Sequence, residues 1–410
     1  MKGFNRTPLL ELGAMLLTLP AMAAAQSTAP VDLGTLGGDS AWAAAINASG
    51  TIAGTSQTAD GTYRAFLFTR PNGPMTVLGP PDVPSLGLGI NDQSAIVGES
   101  GRAFRQRGEV VEELGPGLAN DINNLGQAVG WRAVTAGETH ATLWEVSGAS
   151  RDLGTSGQAS FAAAINDRRQ VVGWRTGEDG RPRAVLWQPD GTPVELGALG
   201  GVYSQALAIN EYGDVAGLAE TAAGAGHAFL WRRGVGMIDL DTGGAFSWAF
   251  GVNDAGQVVG EHLDATGRPR AFVWTMEQGL QTLETAPADG SSRAAAINDF
   301  GEIVGVAADA TRSRALLWVV PPALGNQLAG LERLVGQLAD DRVVNRGRVR
   351  AAMAQIRSAA TAVRARRMGR ASEHLESAAR QLMSLARGAP RNRVLHLAGV
   401  AERLALALRA

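Results

Sequence analysis

Residues 199–231 contain, in order, Leu199-Gly200-Gly201, Ala206-Leu207-Ala208-Ile209-Asn210-Glu211-Tyr212-Gly213, Val215-Ala216-Gly217 and His227-Ala228-Phe229-Leu230-Trp231. The same text recurs on both sides. An Ile-Asn pair (once Val-Asn) puts its asparagine at Asn47, Asn91, Asn123, Asn166, Asn210, Asn253 and Asn298, at spacings of 44, 32, 43, 44, 43 and 45 residues. Seven positions after each asparagine stands a glycine: Gly54, Gly98, Gly130, Gly173, Gly217, Gly260 and Gly305. Each unit then carries a basic residue followed by alanine, led by Arg64, Arg102, His140, Arg183, His227, Arg270 and Arg314. Self-similarity at a period of 40–45 residues is the mark of a repeat architecture in which each unit is one supersecondary element.

Within a unit, turn residues separate four short runs of strand-forming side chains. In the first unit these runs are Trp42–Asn47, Thr51–Thr55, Arg64–Thr69 and Met75–Leu78. The asparagine followed by x-x-Gly, as at Asn47 to Gly50, suits a tight hairpin with glycine in a left-handed conformation. Asn-Asp at 91–92, 166–167, 253–254 and 298–299 lacks the further oxygen ligands of a calcium loop and reads as turn chemistry. Four strands per unit, seven times, predict a seven-bladed β-propeller. A Leu-Gly strand precedes every unit, beginning with Val31-Asp32-Leu33-Gly34, whereas Pro321-Pro322 follows the seventh basic-Ala strand. The 31–34 strand is therefore expected to complete the last blade and leave no open edge. Four residues before each asparagine the side chain is small (Ala43, Gly87, Ala119, Ala162, Ala206, Ala249, Ala294), as expected where strands crowd a central axis. Two residues before, Asp121 is the exception among small residues.

The pattern Leu-Gly-x-Leu-Gly-Gly…Ile-Asn-x-x-Gly-x-x-x-Gly…His/Arg-Ala-Phe-Leu-Trp resembles the bacterial extracellular HAF-repeat family over about residues 31–320. The resemblance implies repeats and secretion, with no settled activity. The second unit departs most, with Arg105 and Gln106 in place of Leu-Trp and Pro80-Pro81 where Leu-Gly-Gly is expected. The Trp-Asp dipeptide of WD40 blades is missing.

The flanks have different textures. Residues 1–25 read as a secretory signal: Lys2 and Arg6, an apolar Leu12 to Leu19, and a small-residue cleavage site near Ala23 to Ala25. The expected location is extracellular or periplasmic, with no membrane span. The propeller is assigned to 26–323 and an α-helical bundle to 324–410. Apolar stripes at helical spacing support the bundle: Leu328, Leu331, Leu334, Val335 and Leu338; Val349, Met353, Ile356, Ala360 and Val363; Leu375, Ala379, Leu382 and Met383; then Val394, Leu397, Val400, Ala401, Leu404 and Leu408. Gly369 and Gly388-Ala389-Pro390 are the expected punctuation. The layout also resembles FIMAH-type modules of secreted bacterial proteins.

The 410 residues carry no cysteine, which excludes disulfides, thiol catalysis and zinc-cysteine sites; five histidines leave little for a metal centre. A net charge of −2 conceals an uneven distribution: residues 324–410 hold 16 arginines and six acids, while 26–323 carry a net −13. The tail is thus expected either to contact the acidic ring or to meet an anionic partner; nucleic acid is not the expected one.

No catalytic constellation stands out, and no cofactor or metal is expected. Glu261, His262 and Asp264 lie within one loop but do not make a closed metal site. Leu36-Gly37-Gly38 and Leu199-Gly200-Gly201 lack the following helix of a phosphate loop and read as turns between blades. The seven Arg/His residues and seven asparagines are read as repeat-defining structural positions. Five positions before the asparagine the residues differ: Trp42, Leu86, Leu118, Phe161, Gln205, Trp248 and Arg293. With Tyr203 and Phe246 nearby, the candidate ligand-binding residues are Trp42, Phe161, Tyr203, Trp248 and Arg293, although this position is expected to share a strand face with the core isoleucine. Trp144, Trp187, Trp231, Trp274 and Trp318 are assigned to the core. The function read from this is a secreted, non-enzymatic scaffold binding an extracellular polymer or protein, with a polysaccharide hydrolase or lyase as the alternative.

Overall fold

Each asparagine does more than turn the chain. Asn47 accepts the backbone N–H of Ser49 and of Thr51 on Oδ1, at 3.0 and 2.9 Å, which locks the hairpin between the first two strands of its unit. Its Nδ2 donates across to the carbonyl of Asn91, at 3.0 Å. The same bond runs from Asn91 to Asn123, and on to Asn166, Asn210, Asn253 and Asn298. Asn298 then donates to the carbonyl of Asn47 at 3.1 Å. Seven amides thus form one closed circle, and only an amide supplies both the two-fold acceptor and the donor this requires. The third residue after the asparagine takes positive φ in every unit. It is glycine in five (Gly50, Gly126, Gly213, Gly256, Gly301), but Ser94 (φ 59) and Arg169 (φ 62) occupy the left-handed region in the other two.

The computed structural model describes residues 29–410, except 70–72, 80–82, 136–137, 155–157, 241–245, 286–289, 323, 338–344, 366, 386–396, 399, 402–403 and 406–410. The signal segment and Gly388-Ala389-Pro390 lie outside the described residues. Five units are separate four-stranded antiparallel sheets. The first unit and the last are counted as one eight-stranded sheet because a single parallel bridge, Ser40 to Ser313, joins them. Val31–Asp32 pairs antiparallel with Ser313–Val319, Val31 opposite Leu317, and Leu33 N–H continues to the carbonyl of Ala315. The first described strand therefore supplies the outer edge of the last unit. Sheets disposed around a closed ring with a central channel make a β-propeller.

In the first unit the strands are Gly37–Ile46, Ile52–Thr58, Tyr63–Phe68 and Met75–Leu78, longer at the start than sequence suggests. The Leu-Gly-Gly segments are not turns between blades. Gly37 and Gly38 open the inner strand, and Leu36 bridges Thr58; Leu199 bridges Thr221 in the same way. A Cβ on Gly38 would lie 2.7 Å from the Thr58 carbonyl, so glycine is needed for close backbone approach.

Every inner strand also carries a register shift between the fourth and second residues before the asparagine, as between Ala43 and Ala45 or Ala162 and Ala164. This bulge corrects two expectations. The small residues at the fourth position do not face the axis. They are almost fully buried and pack sideways, Ala43 with Val304, Ala315 and Leu317 of the neighbouring unit. The bulge also puts the fifth position on the opposite strand face from the core isoleucine: Trp42 pairs with Thr55, whereas Ala43 and Ile46 pair with Gly54 and Ile52. The seventh-position glycine follows from the same geometry. A Cβ on Gly54, Gly173 or Gly260 would run into the carbonyl of Trp42, Phe161 or Trp248.

Trp144, Trp187, Trp274 and Trp318 are buried, while Trp231 is half-buried. In the second unit the buried Arg105 takes the leucine position. Its guanidinium pairs with Glu112 at 2.6 Å and donates to the carbonyl of Gly126 at 2.7 Å, so the buried charge has partners on every side. Gln106, in the tryptophan position, accepts the N–H of Gly79 and donates to the carbonyl of Gly108.

Three described helices follow: α1 (Leu324–Gln337), α2 (Arg346–Arg364) and α3 (Met368–Leu385). Gly369 lies inside the first turn of α3 and does not separate helices; α2 ends at Arg364 and α3 begins at Met368. Asn345 caps α2 by accepting from Gly347 and Arg348 N–H. Leu328, Leu331, Val349, Ile356, Leu375 and Leu382 are buried in one cluster, whereas Met383 is exposed. Phe300, two residues after Asn298, is buried in that same cluster, with Ala48 packed at its edge. The helices thus meet the ring through apolar contacts at the hairpin ends of the last and first units. No described helix is long and apolar enough to cross a membrane.

Candidate binding rim

The inner strands surround a channel cavity of about 330 Å³, and the two ends of these strands differ in chemistry. At the asparagine end the following residue is Ala48, Asp92, Asn124, Asp167, Glu211, Asp254 or Asp299. From Asp92 to Asp299 those side chains grip the preceding unit: Ala48 N–H donates to Asp92, Asp92 N–H to Asn124, Asn124 N–H to Asp167, Asp167 N–H to Glu211, Glu211 N–H to Asp254 and Asp254 N–H to Asp299, all at 2.7–3.0 Å. The Asn-Asp dipeptides therefore work as a second belt of inter-unit bonds. Asp121 belongs to the same framework. Its carboxylate accepts Ile122 N–H and, across the unit boundary, Ile165 N–H at 2.9 Å. Burial pushes its pKa up to about 6, and the two N–H bonds only partly oppose that.

The opposite end is where the repeat varies. Trp248 stacks on Phe250 (centroids 5.9 Å, planes 7° apart) and meets Phe246 edge-on at 5.7 Å. Arg293 lies 4.8 Å over the far ring, Phe250, and its guanidinium is held by two bonds to Glu261, 2.9 and 3.1 Å. Beside this stack, a cavity of about 220 Å³ is lined by Tyr203, Leu218, Glu220, Gly224, Gly226, Phe246 and Trp248. Gly226 is required there, because a Cβ would lie 2.7 Å from the Phe246 ring and displace it. Glu220 is fixed by accepting Val202 N–H at 2.8 Å. Burial raises the Tyr203 phenol above its ordinary pKa, so it stays protonated and able to donate at neutral pH.

Of the sequence candidates, Tyr203, Trp248 and Arg293 come together around this rim. Trp42 and Phe161 do not join them. Trp42 contacts Tyr63 at 5.4 Å, tilted 46°, in the first unit, and Phe161 stacks on Trp174 at 6.0 Å in the fourth. Phe250, Leu218 and Glu220 were not singled out from sequence. Phe250 is two residues beyond Trp248, and on a regular strand that signals a shared face.

Six of the seven basic positions are shown with an acidic partner, from the outer strand, the adjacent turn or, for His140, its own strand as well. Arg102 pairs with Glu113 at 2.6 Å, His227 with Asp239 at 2.9 Å, Arg270 with Asp264 at 2.9 Å, Arg183 with Asp179 at 2.6 Å, and Arg314 with Asp32 of the closing strand at 3.8 Å. Arg64 sits opposite Ser56 on the ladder. His140 lies between two carboxylates, Asp152 at 2.9 Å and Glu138 at 3.0 Å. Burial lowers its pKa, but the bonds and charges of Asp152 and Glu138 outweigh that and raise it overall. Glu261, His262 and Asp264 point to different partners: Arg293, Thr282, and the Thr266–Arg270 turn respectively.

No family model matches this chain, and no curated protein does. Among solved structures it is similar to TolB from Acinetobacter baumannii (11% identity, 66% of this chain, 80% of that one, TM-score 0.40). It is also similar to a puromycin hydrolase (14% identity, TM-score 0.48), matching 72% of this chain and 54% of that one, so the likeness spans about half of the enzyme. A third is the Aleuria aurantia lectin in complex with Fucα1-6GlcNAc (14% identity, 62% of this chain, 98% of that one, TM-score 0.32).

Proposed function

We propose that the ring is a seven-bladed β-propeller of HAF-type repeats, released outside the cytoplasm, that binds an extracellular glycan at the aromatic rim between its fifth and sixth units. The observation that carries this is the cradle of Tyr203, Phe246 and Trp248. It combines apolar ring faces, a phenol donor and a fixed carboxylate acceptor in a space suited to one sugar ring. Sugar rings present C–H-rich faces to aromatic side chains and hydroxyls to polar groups, so both halves of the cradle have a complement. The neighbouring carboxylates are engaged, Glu220 by Val202 N–H and Glu261 by Arg293, which favours binding over a two-carboxylate hydrolytic mechanism. Screening the purified full chain on parallel glycan and peptide arrays tests the reading. Retention of a restricted set of glycans is expected; retention of peptides with no glycan signal would overturn it.

A further inference from the structure

The helical segment carries a second surface that the rim does not use. Arg346, Arg350, Arg357 and Arg364 are all exposed on α2. At 3.6 residues per turn they fall within about 40° of one another around the helix axis, and at 1.5 Å per residue they span about 27 Å. They lie opposite the face that α2 buries, namely Val349, Ala352, Ile356, Ala359 and Ala362. The packed face is turned into the bundle, and the arginine line stays exposed. Arg357 pairs with Glu332 of α1 and remains 64% exposed. The apolar contacts that join the helices to the ring, at Phe300 and Ala48, belong to the same cluster as the buried face of α2 and not to the arginine line.

We propose that this stripe binds a linear polyanion, an acidic or sulfated polysaccharide chain laid along α2. A straight row of guanidinium groups matches a rod of repeating anionic groups, and each offers planar bidentate bonding to sulfate or carboxylate. The apolar residues of α2 are buried inside the bundle, so the helix has no hydrophobic face to insert into a lipid surface. The chain as a whole has a formal charge of −2, so overall attraction cannot supply the affinity; the local row must.

The test uses labelled linear dextran sulfate and the full chain at increasing salt. Binding is expected, with a logarithmic salt slope of about three to four, one per arginine engaged. Replacing Arg350, Arg357 and Arg364 with glutamine should weaken binding at least about tenfold and cut the slope by about three; replacing them with lysine should retain most of the binding. A control with Arg367, Arg370 and Arg380 changed to glutamine removes equal charge off the stripe and should cost less than about threefold. Equal losses from the two glutamine variants would overturn the stripe. So would a salt slope near zero in the unaltered chain, a measurement independent of how any variant folds. Anionic lipid vesicles binding as tightly as dextran sulfate would also contradict a linear partner.

Discussion

The two ends of the inner strands are only about five residues apart, yet they differ in how the repeat treats them. At the hairpin end every unit has the same asparagine, bonded to its own turn and to its neighbour's carbonyl, and the circle closes from Asn298 to Asn47. At the other end the equivalent position runs from Trp42 through Gln205 to Arg293. A closed ring needs the same bond at every unit boundary, so the position that makes it has one solution. The far end is also tied across unit boundaries, through serines such as Ser160, Ser204 and Ser247 that accept an alanine N–H of the preceding unit. Among the described residues, however, the position next to them makes no bond that recurs at every boundary, and it differs from unit to unit. Uniformity marks what holds the ring, and variation marks the rim we propose as the binding site.

This contrast is breakable by mutation. The largest effect is expected at the uniform end. Asn210→Ala leaves Tyr212 N–H, Asp214 N–H and the Asn253 carbonyl without their partner and should cost about 3 kcal/mol, read by chemical denaturation. A cost under about 1 kcal/mol would mean that the circle is not a principal support. A smaller change in the opposite direction is expected at Arg169, which adopts a left-handed backbone where five other units have glycine. Arg169→Gly should stabilise by about 0.5–1 kcal/mol, since relief of the left-handed penalty exceeds the entropy of glycine. The finest test is pH dependence at the outer edge of the third unit. His140 has its pKa raised in the folded state, so its pairing stabilises fully below the ordinary histidine pKa and fades as pH rises through the folded value. The loss caused by His140→Gln should accordingly be greater at pH 5.5 than at pH 8.5 (about one unit below and two units above the unperturbed histidine value); an equal loss at both would remove the charge from the account.

Much of the fold is legible in the sequence because it is written seven times. The asparagine, the glycine seven residues later and the closing strand at Val31–Asp32 are each visible as spacing, and the structure gives each a contact. What spacing does not reveal is the bulge. Alternation assumes an unbroken period of two, and one inserted residue between Ala43 and Ala45 reverses which side chains face the neighbouring sheet. That single irregularity sent Ala43 to the sheet interface and freed Trp42 from the face of Ile46 and Trp248 from that of Val252. The inter-unit bonds of Asn91 and Asp92 were equally hidden, because a turn asparagine and a bridging one have the same letter. At the rim, the grouping of Tyr203 with Trp248 follows from sequence, but Leu218 and Glu220 enter only through the pairing of the second strand. The helical tail was legible as stripes, and its seating on Phe300 was not: an aromatic at a hairpin tip is equally consistent with exposure, as Tyr212 shows at 57% exposed in the fifth unit.

The central claim is that the variable rim binds while the uniform end supports. Trp248→Ala separates the two most directly, measured by calorimetric titration with the strongest glycan from the array and by thermal melting of the same samples. The account predicts an affinity loss of about 1–2 kcal/mol, roughly tenfold or more, with the melting temperature nearly unchanged. Unaltered glycan affinity together with a melting temperature lowered by several degrees would contradict it, and would return Trp248 to the packing of the ring.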